Sequence, residues 1–468
     1  MNNPGLTING QSVMGEMPSL NVLNPANETI AFTAPCASSS QLDSAVEAAQ
    51  NAYPSWSTLT QKERDAYLNK IADTIEQNAD DLATTIVQEQ GKPLALAHME
   101  VGGAIAWTRY TAGIEIPVEV YEDSPNKRIE GHRKPVGVVG SITPWNWPLM
   151  IAIWHIIPAL RMGNTVINKP SEYTPVNTLL LGELLQGVLP DGVFNVVSGD
   201  GQIGKAMTEH QGINKIVFTG STQTGQNIMQ SAATNLKRLT LELGGNDAGI
   251  VLPGTDLNSI AEGLFNTAFI NMGQTCAALK RLYVHESQHD ELCQLLAELA
   301  EKQVVADGLN EQSTFGPIQN SVQLEKVMAL VEQAKSSGAT IYSGGNRLEK
   351  PGYLYPPTIV GNTTQDMAIV AKEQFGPALP VIKYSSVEEA LAMANDSDVG
   401  LGGSVWGDTE KACELASKLE CGSVWINGHA EVLPHAPFGG CKMSGFGVEF
   451  GLEGLLENSQ LQVVNINK

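Results

Sequence analysis

The chain has 468 residues, 42% of them hydrophobic and 17% charged, which is long enough to bury a sizeable core and to form two or three domains. Its 50 acidic residues outnumber 28 basic ones, and the formal charge of −22 makes nucleic acid and anionic lipid surfaces poor partners. The opening MNNPGLTING has no basic or apolar export region, the apolar run at 148–160 is too short for a bilayer, and six cysteines show no C-x-x-C pair. A cytoplasmic protein is expected, with free thiols, no membrane segment and no structural metal.

In chain order, 41–56 and 62–90 carry apolar residues at three-and-four spacing and predict helices that cover a core. The stretch 116–135 holds β-prone runs around a polar turn and belongs to no obvious sheet. From 136 the texture changes to short apolar runs at 136–142, 164–169, 193–199, 215–220 and 238–243, separated mostly by helical segments. That alternation predicts an α/β fold with a parallel, doubly wound sheet. A second series at 247–252, 279–285, 379–384, 402–407 and 422–427 predicts another α/β domain, and the chain ends in an unplaced β-prone run at 461–468.

Several short stretches carry chemistry. FTGSTQTG at 218–225 leaves a strand through Gly220 and enters a helix near Ser221, so free N–H groups and the positive helix end would face an anion. A strand-to-helix turn that merely needs glycine explains the same pattern, and G-x-G-x-x-G is absent. In NKPSEYTP at 168–175, Thr174 followed by Pro175 predicts an N-cap, leaving Lys169 and Glu172 in a loop at the carboxyl end of a strand. A solvated surface pair is the alternative. SITPWNWPLM at 141–150 sets Asn146 between Trp145 and Trp147 ahead of Pro148; its amide could hold an oxyanion or simply shape a turn. Glu242 ends an apolar strand before a glycine pair, where burial would raise its pKa and suit it to general-base work, unless it faces solvent. FINMGQTCAALKR at 269–281 places Cys276 behind Gly273, Gln274 and Thr275.

Together with KEQFGP at 372–377 and PFGGCKMSGFG at 437–447, these residues resemble the aldehyde dehydrogenase superfamily over nearly the whole chain. The resemblance implies a Rossmann-type cofactor domain (1–115 and 136–243), a catalytic domain (244–445) and a small β oligomerisation domain (116–135 and 446–468) of a homodimer or homotetramer. It implies that Cys276 attacks an aldehyde, that the Asn146 amide and the Cys276 N–H hold the oxyanion, and that Glu242 activates water to release a free acid, with Lys169 completing the catalytic set.

By the same resemblance the cofactor is NAD, in preference to NADP. It would be held by Ile142, Thr143, Trp145, Lys169, Glu172, Gly220, Ser221, Gly225, Glu242, Leu243, Glu373 and Phe375. A small-molecule aldehyde would enter between Trp147, Ile151 and Trp154 on one side and Thr275, Val432, Leu433 and Phe438 on the other. The sequence departs from many relatives at Leu279 and Lys280, where small or hydroxyl residues are common, and no role is assigned to either. Two alternatives stand beside this reading. An acylating enzyme would pass the acyl group to coenzyme A, although Glu242 speaks for hydrolysis; a non-catalytic protein on the same fold would not need the catalytic residues.

Overall fold

The structure, a computed structural model, describes residues 4–468. Its first sheet has eight strands, with Phe194–Val196, Thr165–Lys169, Val138–Ile142, Lys215–Thr219 and Arg238–Glu242 running parallel at its centre. Taken in chain order those strands lie 3-2-1-4-5, so the order reverses between Val138–Ile142 and Lys215–Thr219. Such a sheet opens a crevice at the carboxyl ends of the strands beside the reversal. The central strands are buried on both faces, which is why their sequences are almost uninterrupted apolar runs.

The amino-terminal hundred residues hold more strand than their sequence suggests. Leu6–Ile8 and Gln11–Val13 extend the first sheet, and Met17–Asn24 pairs with Thr29–Cys36 in an antiparallel ribbon. Met17–Asn24 is largely exposed and Thr29–Cys36 runs from an exposed end into a buried one, so neither shows the alternation that betrays a half-buried strand. The helices begin at clear signals: Ser38 forms a capping box with Gln41, and Thr60 forms another with Glu63. The predicted helix over 62–90 is two helices, Gln61–Gln77 and Ala79–Gln90, parted at Asn78, and Leu94–Ala112 follows.

The second sheet has seven strands, and Thr358–Thr363, Ala378–Tyr384, Arg281–His285, Ala248–Val251, Gly402–Trp406 and Ser423–Ile426 run parallel within it. Thr340–Ser343 closes one edge antiparallel. The unplaced runs find each other: Ser459–Asn467 pairs along Lys127–Pro135, which pairs with Glu119–Asp123 in a separate three-stranded sheet. Gly445–Phe446 pairs antiparallel at the edge of the first sheet, and the helix Gly451–Leu456 packs near Met162 and Ile116.

The expected cap at Thr174 is not formed. The helix starts at Val176, with Pro175 already in helical conformation, and the buried Glu89 carboxylate accepts the free N–H groups of Val176 and Asn177 at 2.8 and 2.9 Å. A carboxylate brought from another helix replaces the local hydroxyl as the cap, and no sequence-local signal announces it. The apolar run at 148–160 forms one helix, Pro148–Arg161, and among the described residues no helix is long and apolar enough to cross a membrane.

Candidate active site

At the reversal point three strands deliver their following residues to one place. Val138–Ile142 leads into Thr143 and the Trp145–Asn146 loop, Lys215–Thr219 into Gly220 and Ser221, and Arg238–Glu242 into Leu243 and Gly244. Trp145, Asn146, Gly220, Ser221, Leu243, Cys276, Glu373 and Phe375 line a single cavity of about 190 Å³. Ser221 caps the helix Thr222–Ala232, its hydroxyl accepting from the Thr224 N–H at 3.2 Å. Gly225 serves the approach of that helix to the strand: a Cβ there would stand 2.7 Å from Leu243. Trp145 and Phe375 meet edge to face at 5.4 Å across the mouth.

Farther along the same sheet end, Ile142 is paired with Lys169, whose carbonyl accepts from the Thr143 N–H at 3.1 Å. The Lys169 ammonium is buried, donates to the Pro170 carbonyl at 3.0 Å and stands 3.9 Å from the half-exposed Glu172 carboxylate. Glu373 accepts from the Gly245 N–H at 3.2 Å and from Lys280 at 3.3 Å, and burial raises its pKa above the usual carboxylate value.

The loop bearing Cys276 is built from an unusual backbone. Asn271, Met272 and Gly273 follow one another in the left-handed region, with φ of 50°, 59° and 69°. A side chain at Gly273 would collide with the Gly376 carbonyl, so glycine is required there on both counts. The strain is held by side chains: Asn271 donates to the Asn146 carbonyl at 2.8 Å, and Gln274 donates to the Asn271 carbonyl at 3.0 Å. Asn146 in turn donates one amide hydrogen to the Gln274 carbonyl at 3.0 Å, which leaves its second hydrogen free of that bond. Trp147 donates to the Thr275 hydroxyl at 3.0 Å, so the asparagine and cysteine loops are tied at two places.

Burial pushes the Cys276 thiol up to about 12, with Lys280 opposing that shift and the carboxylates of Glu242, Asp247 and Glu373 adding to it. Glu242 is buried at the end of its strand, and neither carboxyl oxygen has a hydrogen-bond partner. Desolvation first, and then the nearby Glu449 carboxylate, raise its pKa well above the ordinary range. A buried, unpartnered carboxyl group is costly to fold around, and it is poised to accept a proton.

On the far side of Cys276 lies an apolar cluster containing Trp154, Val432 and Phe438 of the predicted substrate pocket. Phe450 and Trp107, which sequence reasoning missed, complete it: Trp154 stands 4.8 Å from Phe450 and 5.6 Å from Trp107. Trp147 and Ile151 are buried, and Leu433 lies outside this cluster. Trp107 sits inside an ordinary helix and Phe450 just before a short one, with a positive φ of 66°, so neither neighbourhood marks them as pocket residues.

Sequence reasoning also missed the support beneath Asn146. The buried Lys92 ammonium donates to the Asn146 carbonyl at 2.9 Å, contacts Glu100 at 2.5 Å and lies 3.6 Å from the centre of the Trp147 ring. Burial lowers Lys92 to about 8, against the raising effect of Glu100. Glu100 also accepts from the N–H groups of Leu149 and Met150, capping the helix that starts at Pro148. Gln323 and Lys326, from an exposed stretch of the helix Ser321–Ser336, join the cavity wall; a lysine on a solvated helix face gives no warning of this.

Comparison with known proteins gives the family. Residues 13–464 match the model of the aldehyde dehydrogenase family. Aldehyde dehydrogenase LUC3 of Fusarium sp is 38% identical over 95% of each chain, and human retinaldehyde dehydrogenase 3 is 39% identical over 91% of this chain and 85% of its own. The NAD+ complex of aldehyde dehydrogenase from Bacillus cereus superposes with a TM-score of 0.97 at 35% identity, covering 100% of this chain and 97% of that one. The chain belongs to the aldehyde dehydrogenase family, and it is an oxidoreductase acting on aldehydes.

Proposed function

We propose that the chain oxidises an aldehyde to the free carboxylic acid with NAD, Cys276 acting as nucleophile, Asn146 as oxyanion donor and Glu242 as base. The observation that carries this reading is the convergence of Cys276 and Asn146 with Ser221, Glu373 and Phe375 on one cavity. A helix N-terminus, an indole face and a carboxylate in that cavity suit a dinucleotide: Ser221 and Trp145 would meet the pyrophosphate, Lys169 and Glu172 the adenosine ribose, and Glu373 with Phe375 the nicotinamide ribose. Bound NAD supplies the hydride acceptor that side chains lack.

The protein's own groups account for the remaining steps. Burial and the nearby carboxylates raise the pKa of Cys276, so attack on the carbonyl carbon proceeds from its minor thiolate form, the thiol proton having passed to solvent. As the C–S bond forms, charge moves to the substrate oxygen, where the second Asn146 hydrogen and the Cys276 N–H would receive it. After oxidation an acyl thioester remains on Cys276. Glu242 then takes a proton from water, the hydroxide adds to the acyl carbon, and the thiolate leaves. The same carboxylate favours hydrolysis over transfer to coenzyme A.

NAD is expected to exceed NADP in kcat/KM by roughly tenfold or more, because Glu172 would accept hydrogen bonds from ribose hydroxyls and repel a 2′-phosphate. Lys169, 3.9 Å away, softens the discrimination. Glu172→Ala should narrow the gap; equal kcat/KM for both cofactors in the parent protein contradicts the assignment.

The residues predicted to line the aldehyde tunnel, Trp147, Ile151, Trp154, Thr275, Val432, Leu433 and Phe438, include no arginine, so the distal carboxylate of a semialdehyde would stay unpaired at a cost of several kcal/mol. Hexanal and benzaldehyde should therefore exceed succinate semialdehyde in kcat/KM by on the order of 100-fold. An NADH assay over those substrates and betaine aldehyde tests this. A win for succinate semialdehyde overturns the pocket, while a win for betaine aldehyde assigns the indoles to a cationic substrate.

The division into a cofactor domain, a catalytic domain and a small β domain is proposed on the same resemblance. The three-stranded sheet exposes Tyr121, Leu461 and Val463 on one face and Val120 and Ile466 on the other, apolar surface that suits a second copy of this chain, in a homodimer or homotetramer. The free cysteines fit a cytoplasmic location.

A further inference from the structure

Lys280 occupies a place that the catalytic scheme above does not use. It directly precedes the strand Arg281–His285, with its own N–H fixed to the Asp247 carbonyl at 3.0 Å and its carbonyl accepting from Gln374 at 3.3 Å. From there its buried side chain folds back under the nucleophile loop. The ammonium donates to the Thr275 carbonyl at 2.8 Å and to the Cys276 carbonyl, and it pairs with Glu373 at 3.3 Å. It also lies 5.9 Å from the centre of the Phe375 ring. One cation thus joins the cysteine loop to the wall of the proposed nicotinamide subsite.

We propose that Lys280 is a positioning residue that clamps the Cys276 loop to Glu373 and holds a fixed positive charge beneath the nucleophile, favouring its thiolate. The proposal rests on the reading of Cys276 as the nucleophile. Lys280 works against anionic surroundings, since Glu242, Asp247 and Glu373 all face the same thiol and raise its pKa alongside burial, while Lys280 lowers it. The other charges near this assembly are Lys326, which shares Glu373, His429, 3.5 Å from Asp247, and the Lys92–Glu100 pair under the Asn146 loop. Of the groups that shift Cys276, Lys280 is the cation. Its tie to three backbone carbonyls and a carboxylate gives that charge one position, unlike a mobile surface lysine.

The test is the pH dependence of iodoacetamide alkylation of the full-length protein, with the labelled residue identified by peptide mass spectrometry. Lys280→Met, which keeps the length and loses the charge, should displace the Cys276 profile toward alkaline pH by about one unit. At fixed neutral pH its alkylation should slow by only about threefold, because a more basic thiolate is also a better nucleophile. Lys280→Arg should restore the parental profile. Should the methionine variant not fold, Lys280→Gln, which keeps donors for the Thr275 and Cys276 carbonyls and loses the charge, should show the same alkaline displacement. An unshifted profile in Lys280→Met or Lys280→Gln, or an equal shift in Lys280→Arg, overturns the role of Lys280. Labelling that never reaches Cys276 in the parent protein overturns the nucleophile assignment instead, and this proposal with it.

Discussion

Cys276→Ala is expected to lower NADH formation by ~1,000-fold or more while leaving NAD affinity within about twofold of the parent. The two effects separate because the thiol meets substrate, whereas the cofactor cavity is walled mainly by Trp145, Ser221, Leu243, Glu373 and Phe375. Alanine also removes little that supports the loop: its backbone is held by Asn271, Gln274 and Lys280, none of which bonds the sulfur. Steady-state rates and a cofactor titration on the same preparation check both halves. Turnover within about tenfold of the parent excludes Cys276 as the nucleophile.

Glu242→Gln should produce a different failure. Glutamine keeps the shape and cannot take a proton, so water is no longer activated and the thioester persists. A burst of at most one NADH per active site is expected, followed by steady turnover lowered by ~100-fold to 10,000-fold, the usual worth of a general base. The pH profile supplies a second reading. Burial and Glu449 raise the folded-state pKa of Glu242, so the fraction able to act as base grows with pH, and the acid limb of activity should lie above the ordinary carboxylate range. That limb should vanish in the glutamine variant. Parental turnover without a burst would assign deacylation to another group.

The proposed catalytic trio could be picked out in the sequence because each member sits in a short local pattern: Asn146 between tryptophans, Glu242 before a glycine pair, Cys276 behind Gly273 and Gln274. The parallel strands were legible for a similar reason, since burial on both faces writes itself as an apolar run. What escaped is set by distant partners. Glu89 replaces Thr174 as a helix cap from 87 residues away, and Lys92 and Glu100 support Asn146 from 54 and the following helix from 49. Neither carboxylate looks unusual within its own helix. Lys280 stood out only as a departure from relatives, and its meaning depends on carbonyls and a carboxylate that the fold brings around it. Trp107 joins the apolar cluster beside Cys276 from the interior of a helix and Phe450 from a positive-φ position just before one, and neither is marked by a local pattern.

The most direct test of the account is to trap the acyl group. Glu242→Gln mixed with NAD and a slight excess of hexanal, quenched in acid within the burst and digested, should yield one modified peptide, spanning Cys276 and carrying the mass of a hexanoyl group. NADH formed without an acyl adduct, or an adduct on any of the other five cysteines in place of Cys276, would contradict the mechanism.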